Sequence, residues 1–327
     1  MVRRSYLAWS VPCLMALAVA GCQRPEEAAL PAAAPAGGAA ISFVDDLGGQ
    51  VSLARPAQRV VSLSPNLTES MYAIGADDLL VGVTDFCKYP PPVAAKPKIG
   101  GIINPVLERV VALKPDLVLA ARGNDPQFLK RLRDMKIEVA GFDPQSIDDV
   151  VALLGKLGRV CGREDASAKA VAALNQRLAS IKAGVKPPAG APPRVLFILE
   201  WQPLFVAGPK SFVADMIRMG GGVNLATGAN LAAGANADSP WPQVSAESMI
   251  ALDPQIIIFA KMQGAGVDTA KVIAGMRKDA AWKNVSAVKN NRIYAVDDDL
   301  VTIPGPRLVD GIEQVVDVVV GESQPAG

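Results

Sequence analysis

One block of this chain occurs twice. Glu108-Arg-Val-Val-Ala-Leu-Lys-Pro115-Asp-Leu-Val-Leu119 is matched by Glu247-Ser-Met-Ile-Ala-Leu-Asp-Pro254-Gln-Ile-Ile-Ile258, 139 positions later throughout. In each copy a short helix carrying a glutamate ends ahead of a proline, which blocks helix continuation, and an apolar run suited to a buried strand follows. Two further landmarks repeat upstream in the same order. Arg59-Val-Val-Ser-Leu63 corresponds to Arg194-Val-Leu-Phe-Ile198, and Met71-Tyr-Ala-Ile-Gly75 to Met216-Ile-Arg-Met-Gly220. Continuously apolar strands that alternate with helices imply parallel sheets covered on both faces. The expected fold is therefore α/β, with two Rossmann-like lobes joined by a single long α-helix.

That helix is expected between the halves. Val171, Leu174, Leu178 and Ile181 fall on one face at helical spacing, within a run from Asp165 to Ala183. At 1.5 Å per residue the run spans about 28 Å, roughly a domain's diameter. Pro187-Pro188 and Pro192-Pro193 then close it off. These signals divide the chain into an N-terminal lobe over 42–164, a connecting helix over 165–186, a C-terminal lobe over 187–320 and a tail over 321–327. A single stiff crossing of this kind predicts little closure between the lobes.

The N-terminus sets the compartment. Arg3 and Arg4 precede a mostly apolar stretch, Leu7 to Ala20, which ends at Val19-Ala20-Gly21-Cys22. It is too short to span a bilayer comfortably and has the layout of a secretory signal over 1–21. Small residues ahead of a cysteine resemble a lipobox, which would leave Cys22 lipidated as the mature N-terminus, anchored to a membrane in the periplasm or at the cell surface. Residues 22–41, rich in Ala, Pro and Gly, read as a flexible tether. Removal of 1–21 leaves 31 basic against 32 acidic residues, a balance that excludes nucleic acid as a partner. Two cysteines then remain unmodified. Cys87 and Cys161 either form one disulfide or stay free and buried, and both outcomes are open.

The chain contains no histidine. That removes a Ser-His-Asp triad, a histidine general base and any His-ligated zinc or haem. The cysteines show no CxxC spacing and no GxxxxGK[ST] loop is present, so neither a metal nor a resident cofactor is expected. Asp297, Asp298 and Asp299 are the obvious carboxylate cluster, but read as a solvated loop after a strand over 292–296. A cleft enzyme working through carboxylates is a rival reading; a binding protein without a chemical step is the leading one.

Several segments resemble a known family. Ser62-Leu-Ser64-Pro-Asn-Leu-Thr68-Glu69, Ala112-Leu-Lys-Pro115-Asp116, Glu200-Trp201, Trp241-Pro-Gln-Val-Ser245-Ala-Glu247 and Gly305-Pro306-Arg307 look like the helical-backbone (class III) substrate-binding proteins of ABC importers. These carry cobalamin, ferric siderophores or haem, and the stretches around Trp241 and Tyr89-Pro90-Pro91 look most like the cobalamin group. The resemblance implies that one glutamate per lobe, Glu108 and Glu247, docks a monomeric protein onto a permease dimer with its ATPase subunits. It nominates Asn66, Phe86, Glu200, Trp201, Trp241 and Asp299 as contacts to a corrinoid or a metal chelate. A first-lobe tryptophan of some cobalamin binders falls near Ile102, which lacks a broad ring face. Arg122 is the loop arginine that an anionic siderophore would call on, and Tyr89 or Tyr294 the tyrosine that haem would need.

Overall fold

The computed structural model describes residues 40–186, 190–227, 239–261 and 268–325, all within one compact unit, Gly38–Gly327. The expected signal, the lipidated Cys22 and most of the tether lie outside the described residues. Among those described, no helix is long and apolar enough to cross a membrane.

A small antiparallel hairpin, β1 (Ile41–Val44) and β2 (Gln50–Leu53), opens the described chain. The first lobe then runs β3 (Val60–Ser62), α1 (Pro65–Ala73), β4 (Leu80–Val83), α2 (Leu107–Ala112), β5 (Leu117–Ala121), α3 (Pro126–Asp134), β6 (Glu138–Phe142) and α4 (Ile147–Cys161). Its four strands are all parallel, in the order β4-β3-β5-β6. The apolar run at 117–121 is buried along its whole length, as a strand covered on both faces must be.

The connecting helix is α5 (Glu164–Gly184), one residue longer at each end than the apolar periodicity indicates. It turns back against α4 through Gly162, whose φ of +63° suits a left-handed helix end. Gly158 allows the close approach, since a Cβ there would collide with Ser167 Oγ. Leu174 and Leu178 are buried, while Arg177 donates to Asp310 (2.7 Å) and Glu313 (2.8 Å) on the far lobe.

The second lobe runs β7 (Arg194–Glu200), β8 (Phe205–Val206), α6 (Phe212–Met219), β9 (Val223–Asn224), α7 (Ala246–Ala251), β10 (Ile256–Lys261), α8 (Thr269–Lys278), α9 (Ser286–Lys289), β11 (Ile293–Asp297), α10 (Asp298–Thr302) and α11 (Leu308–Val320). Strands β11, β10, β7 and β9 are parallel to their neighbours, and the short β8 is antiparallel on β7. This strand and the opening hairpin are the departures from an all-parallel expectation. One hydrophobic cluster passes from Leu67 and Met71 of the first lobe through Leu174 and Leu178 of α5 to Val301, Leu308 and Ile312 of the second. The lobes thus share core, and α5 lies within it.

One reading of the sequence is corrected here, and one that it left open is decided. Asp297 to Asp299 are not a solvated loop: Asp297 ends β11 and its Oδ1 accepts from Asp299 N at 3.2 Å, capping α10. Cys87 and Cys161 are both free, so no disulfide joins them. They serve different parts of the core instead. Cys87 Sγ lies 3.2 Å from each of the Thr68 and Thr84 hydroxyls, and Cys161 Sγ lies 3.6 Å from Met71 Sδ.

Candidate functional site

In parallel α/β sheets, ligands bind at the carboxyl ends of the strands. There the first lobe presents an apolar face. Phe86, beyond β4, is 56% exposed, Tyr89 45% and Ile103 73%. Cys87, gripped between two threonine hydroxyls, anchors this loop, while Asp85 N donates to Gly100 O at 2.9 Å and ties it to the next one. Gly100, with φ +102°, begins a tight excursion that returns at Pro105 and leaves Ile103 outermost. Asn66 is buried in the first turn of α1, its Oδ1 accepting from Ser64 Oγ at 2.6 Å. It stands beneath the surface rather than on it.

In the second lobe, Trp241 is half-buried, its ring centroid 6.2 Å from that of Phe197. Backbone bonds from Val206 N to Pro242 O and from Val244 N to Leu204 O hold its segment to β8. Glu200 ends β7 and Trp201 follows it, beside Thr269 and Val272 of α8. The Trp201 ring packs against Trp282 (5.5 Å) and Phe259 (6.1 Å), within the second lobe's own cluster. Asp299 lies half-buried at the start of α10.

The lobes meet at a charged contact. Arg307, preceding α11, donates from Nε (2.9 Å) and Nη2 (2.7 Å) to the two carboxylate oxygens of Glu69 on α1. The pair is largely dry, the Glu69 side chain being 4% exposed and that of Arg307 18%. The guanidinium also sits 4.2 Å from the centre of the Tyr89 ring. Burial pushes the Glu69 carboxyl above its ordinary value, against the opposing pull of Arg307, and the Asp299 charge adds to the rise. Asp299 is thereby placed near the junction. Asn66 is placed there too, because a Cβ built on Gly305 would touch its Cα at 3.4 Å.

Of the nominated contacts, Asn66 and Asp299 lie at this junction, Phe86 is exposed on the loop that also carries Tyr89, Trp241 packs on Phe197, and Trp201 packs against Phe259 and Trp282 of its own lobe. Arg122 is taken up by Asp143, with Nε to Oδ2 at 2.6 Å. Tyr294, offered as a loop tyrosine for haem, is corrected: it lies buried within β11. The reading of the sequence missed Glu69 as a bridge. The sequence carries little signal for it, because Glu69 stands among Thr68 and Ser70 between Leu67 and Met71, and only burial of the whole turn requires that the carboxylate be paired.

The two glutamates nominated for docking occupy equivalent places. Glu108 and Glu247 are each the second residue of a six-residue helix, and both are exposed. Among the described residues no cluster of three or more His, Cys, Asp or Glu could hold a metal.

Residues 60–300 match the family model described as periplasmic binding protein. An uncharacterized ABC transporter substrate-binding lipoprotein of Bacillus subtilis (strain 168), YvrC, is 30% identical over 95% of this chain and 96% of its own. The crystal structure of the periplasmic vitamin B12 binding protein BtuF of Vibrio cholerae superposes with a TM-score of 0.69 at 27% identity, covering 82% of this chain and 99% of that one. The periplasmic heme-binding protein RhuT of Roseiflexus sp. RS-1 gives the same TM-score at 25% identity, covering 82% and 100%. With two α/β lobes on one long helix and a family match over well over half its length, this chain belongs to the periplasmic binding proteins and is a substrate-binding protein of ABC transporters, not an enzyme.

Proposed function

We propose that this protein binds cobalamin or a related corrinoid between its lobes and delivers it to a dimeric ABC permease, with Glu108 and Glu247 as the docking residues and lipidated Cys22 as its anchor outside the cytoplasm. A corrin ring offers a broad, mostly apolar face, suited to a concave site lined by aromatic and aliphatic groups. The observation that carries the reading is the exposed set Phe86, Tyr89 and Ile103 at the strand ends of the first lobe. Ile103 and Ile102 supply the apolar area expected of the missing tryptophan. The arginines at this end argue against an anionic chelate, because Arg122 and Arg307 are engaged by Asp143 and Glu69. Haem is the second reading, favoured by the exposed Tyr89 ring beneath Arg307. Titration with cyanocobalamin, a ferric siderophore and haemin, followed by tryptophan fluorescence, separates them. Saturation by cyanocobalamin that is lost in Phe86→Ala and Trp241→Ala supports the corrinoid; saturation by haemin that is lost in Tyr89→Phe overturns it.

A further inference from the structure

The chain duplication extends to a contact that the docking role alone does not require. Arg59, just ahead of β3, donates from Nη2 to Leu113 O (2.6 Å) and from Nε to Lys114 O (3.1 Å). Arg194, the first residue of β7, donates from Nη2 (2.8 Å) and Nε (3.2 Å) to Asp253 O. Lys114 and Asp253 are 139 positions apart and share an unusual left-handed backbone, with φ of +47° and +46°. The residues before them, Leu113 and Leu252, end α2 and α7 with nearly identical angles. The backbones are tied in parallel as well. Arg59 N donates to Asp116 Oδ1 (2.8 Å) and Arg194 N to Gln255 Oε1 (3.0 Å), the two acceptors being 139 apart. Asp116 N and Gln255 N return bonds to the carbonyls of Arg59 (3.0 Å) and Arg194 (2.9 Å).

Each arginine therefore grips the C-terminal end of the helix whose second residue is a docking glutamate. A six-residue helix cannot hold itself in water, and its last carbonyls carry the negative end of the dipole, which a guanidinium satisfies. Val110 and Met249, again 139 apart, sink each helix into its lobe at one point. One buried side chain leaves rotation free; a clamp at the end removes it. We infer that Arg59 and Arg194 are positioning residues that fix the separation and aim of Glu108 and Glu247 for a two-fold partner. This rests on the docking role proposed for those glutamates. The two clamps are not equally backed. The N-terminus of α7 is capped by Ser245, which accepts from Ser248 N at 3.1 Å, and Asp253 is also held by Ser286, whereas α2 has no side-chain cap. Arg59 thus carries more of its helix than Arg194 does.

The test uses the chain beginning at Gln23, with nitroxide labels on E108C and E247C for pulsed distance measurement. Without label, R59A, R194A and R59A/R194A are assayed for binding to the cognate importer in nanodiscs and for cyanocobalamin affinity. The inference expects the distance distribution to broaden at least twofold in R59A and less in R194A. It expects importer affinity to fall at least tenfold in the double variant, with cyanocobalamin affinity within twofold of the parent. A distribution of unchanged width in R59A/R194A overturns the clamp whatever the importer shows, as does loss of cyanocobalamin binding in parallel with docking. E108Q/E247Q separates the two claims: if that variant docks normally while R59A broadens the distribution, the docking role has failed and takes the role of the arginines with it.

Discussion

Both carboxylate oxygens of Glu69 accept from one guanidinium, that of Arg307, across the junction of the two lobes at 2.7 and 2.9 Å. Sequence separates the two residues by more than two hundred positions, so the contact exists only when the lobes are in place. The same guanidinium lies over the Tyr89 ring, 4.2 Å from its centre. The pair therefore ties the lobe contact to the exposed aromatic loop that the ligand is proposed to meet.

Removing one partner of a buried ion pair strands the other charge, at a cost of about 3 kcal/mol. Glu69→Gln and Arg307→Met are each expected to lower the unfolding free energy by about that much. Glu69→Leu/Arg307→Met, which removes both charges, is expected to recover most of the loss. Chemical denaturation of the three variants checks this. A double variant as unstable as the sum of the singles would contradict a desolvated pair.

The Glu69 carboxyl also sets a pH dependence. Its raised value, caused first by burial, means that the folded protein holds this proton more tightly than the unfolded chain. The linked stability is fully present below the ordinary glutamate value and is lost as pH rises through the higher folded value. Between those two values the melting temperature of the parent, relative to that of Glu69→Gln, is expected to fall with rising pH. Parallel melting curves for the two proteins across this window would refute the assignment.

The free cysteines make a simpler claim. Burial pushes the Cys161 thiol up to about 12, and Cys87 is equally enclosed. The folded chain beginning at Gln23 is expected to resist a thiol reagent at pH 8, to yield two thiols on denaturation without reductant, and to melt at the same temperature with or without dithiothreitol. A melting temperature lowered by reductant would mean that a disulfide forms after all.

The connecting helix limits motion. Lobes that share core with α5, tied further by Arg177 to Asp310 and Glu313, are expected to close little on binding. Small-angle scattering of free and loaded protein checks this, and a closure of tens of degrees would contradict it.

Much of this architecture was legible in the chain. The repeat at 108–119 and 247–258 located both strand–helix units because a proline after a short helix and an all-apolar strand are local constraints. The same repeat paired the two glutamates, and the structure adds the matching left-handed residues Lys114 and Asp253 at its helix ends. What escaped depended on distant partners. Glu69 paired with Arg307 is invisible to periodicity, and so is the aspartate run, whose capping of α10 appears only once β11 has ended. Trp201 shows the same limit: the resemblance nominates it as a contact, but only the fold shows its ring packed against Phe259 and Trp282. Cys87 and Cys161 looked available to each other only because nothing local in the sequence showed the threonines and the methionine that they face instead.

The most direct test of the account is titration of the chain beginning at Gln23 with cyanocobalamin, following tryptophan fluorescence and melting temperature together. Saturable quenching with a raised melting temperature, both abolished in Trp241→Ala while that variant stays folded, is the predicted result. No quenching and no stabilisation at saturating cyanocobalamin would contradict the corrinoid assignment.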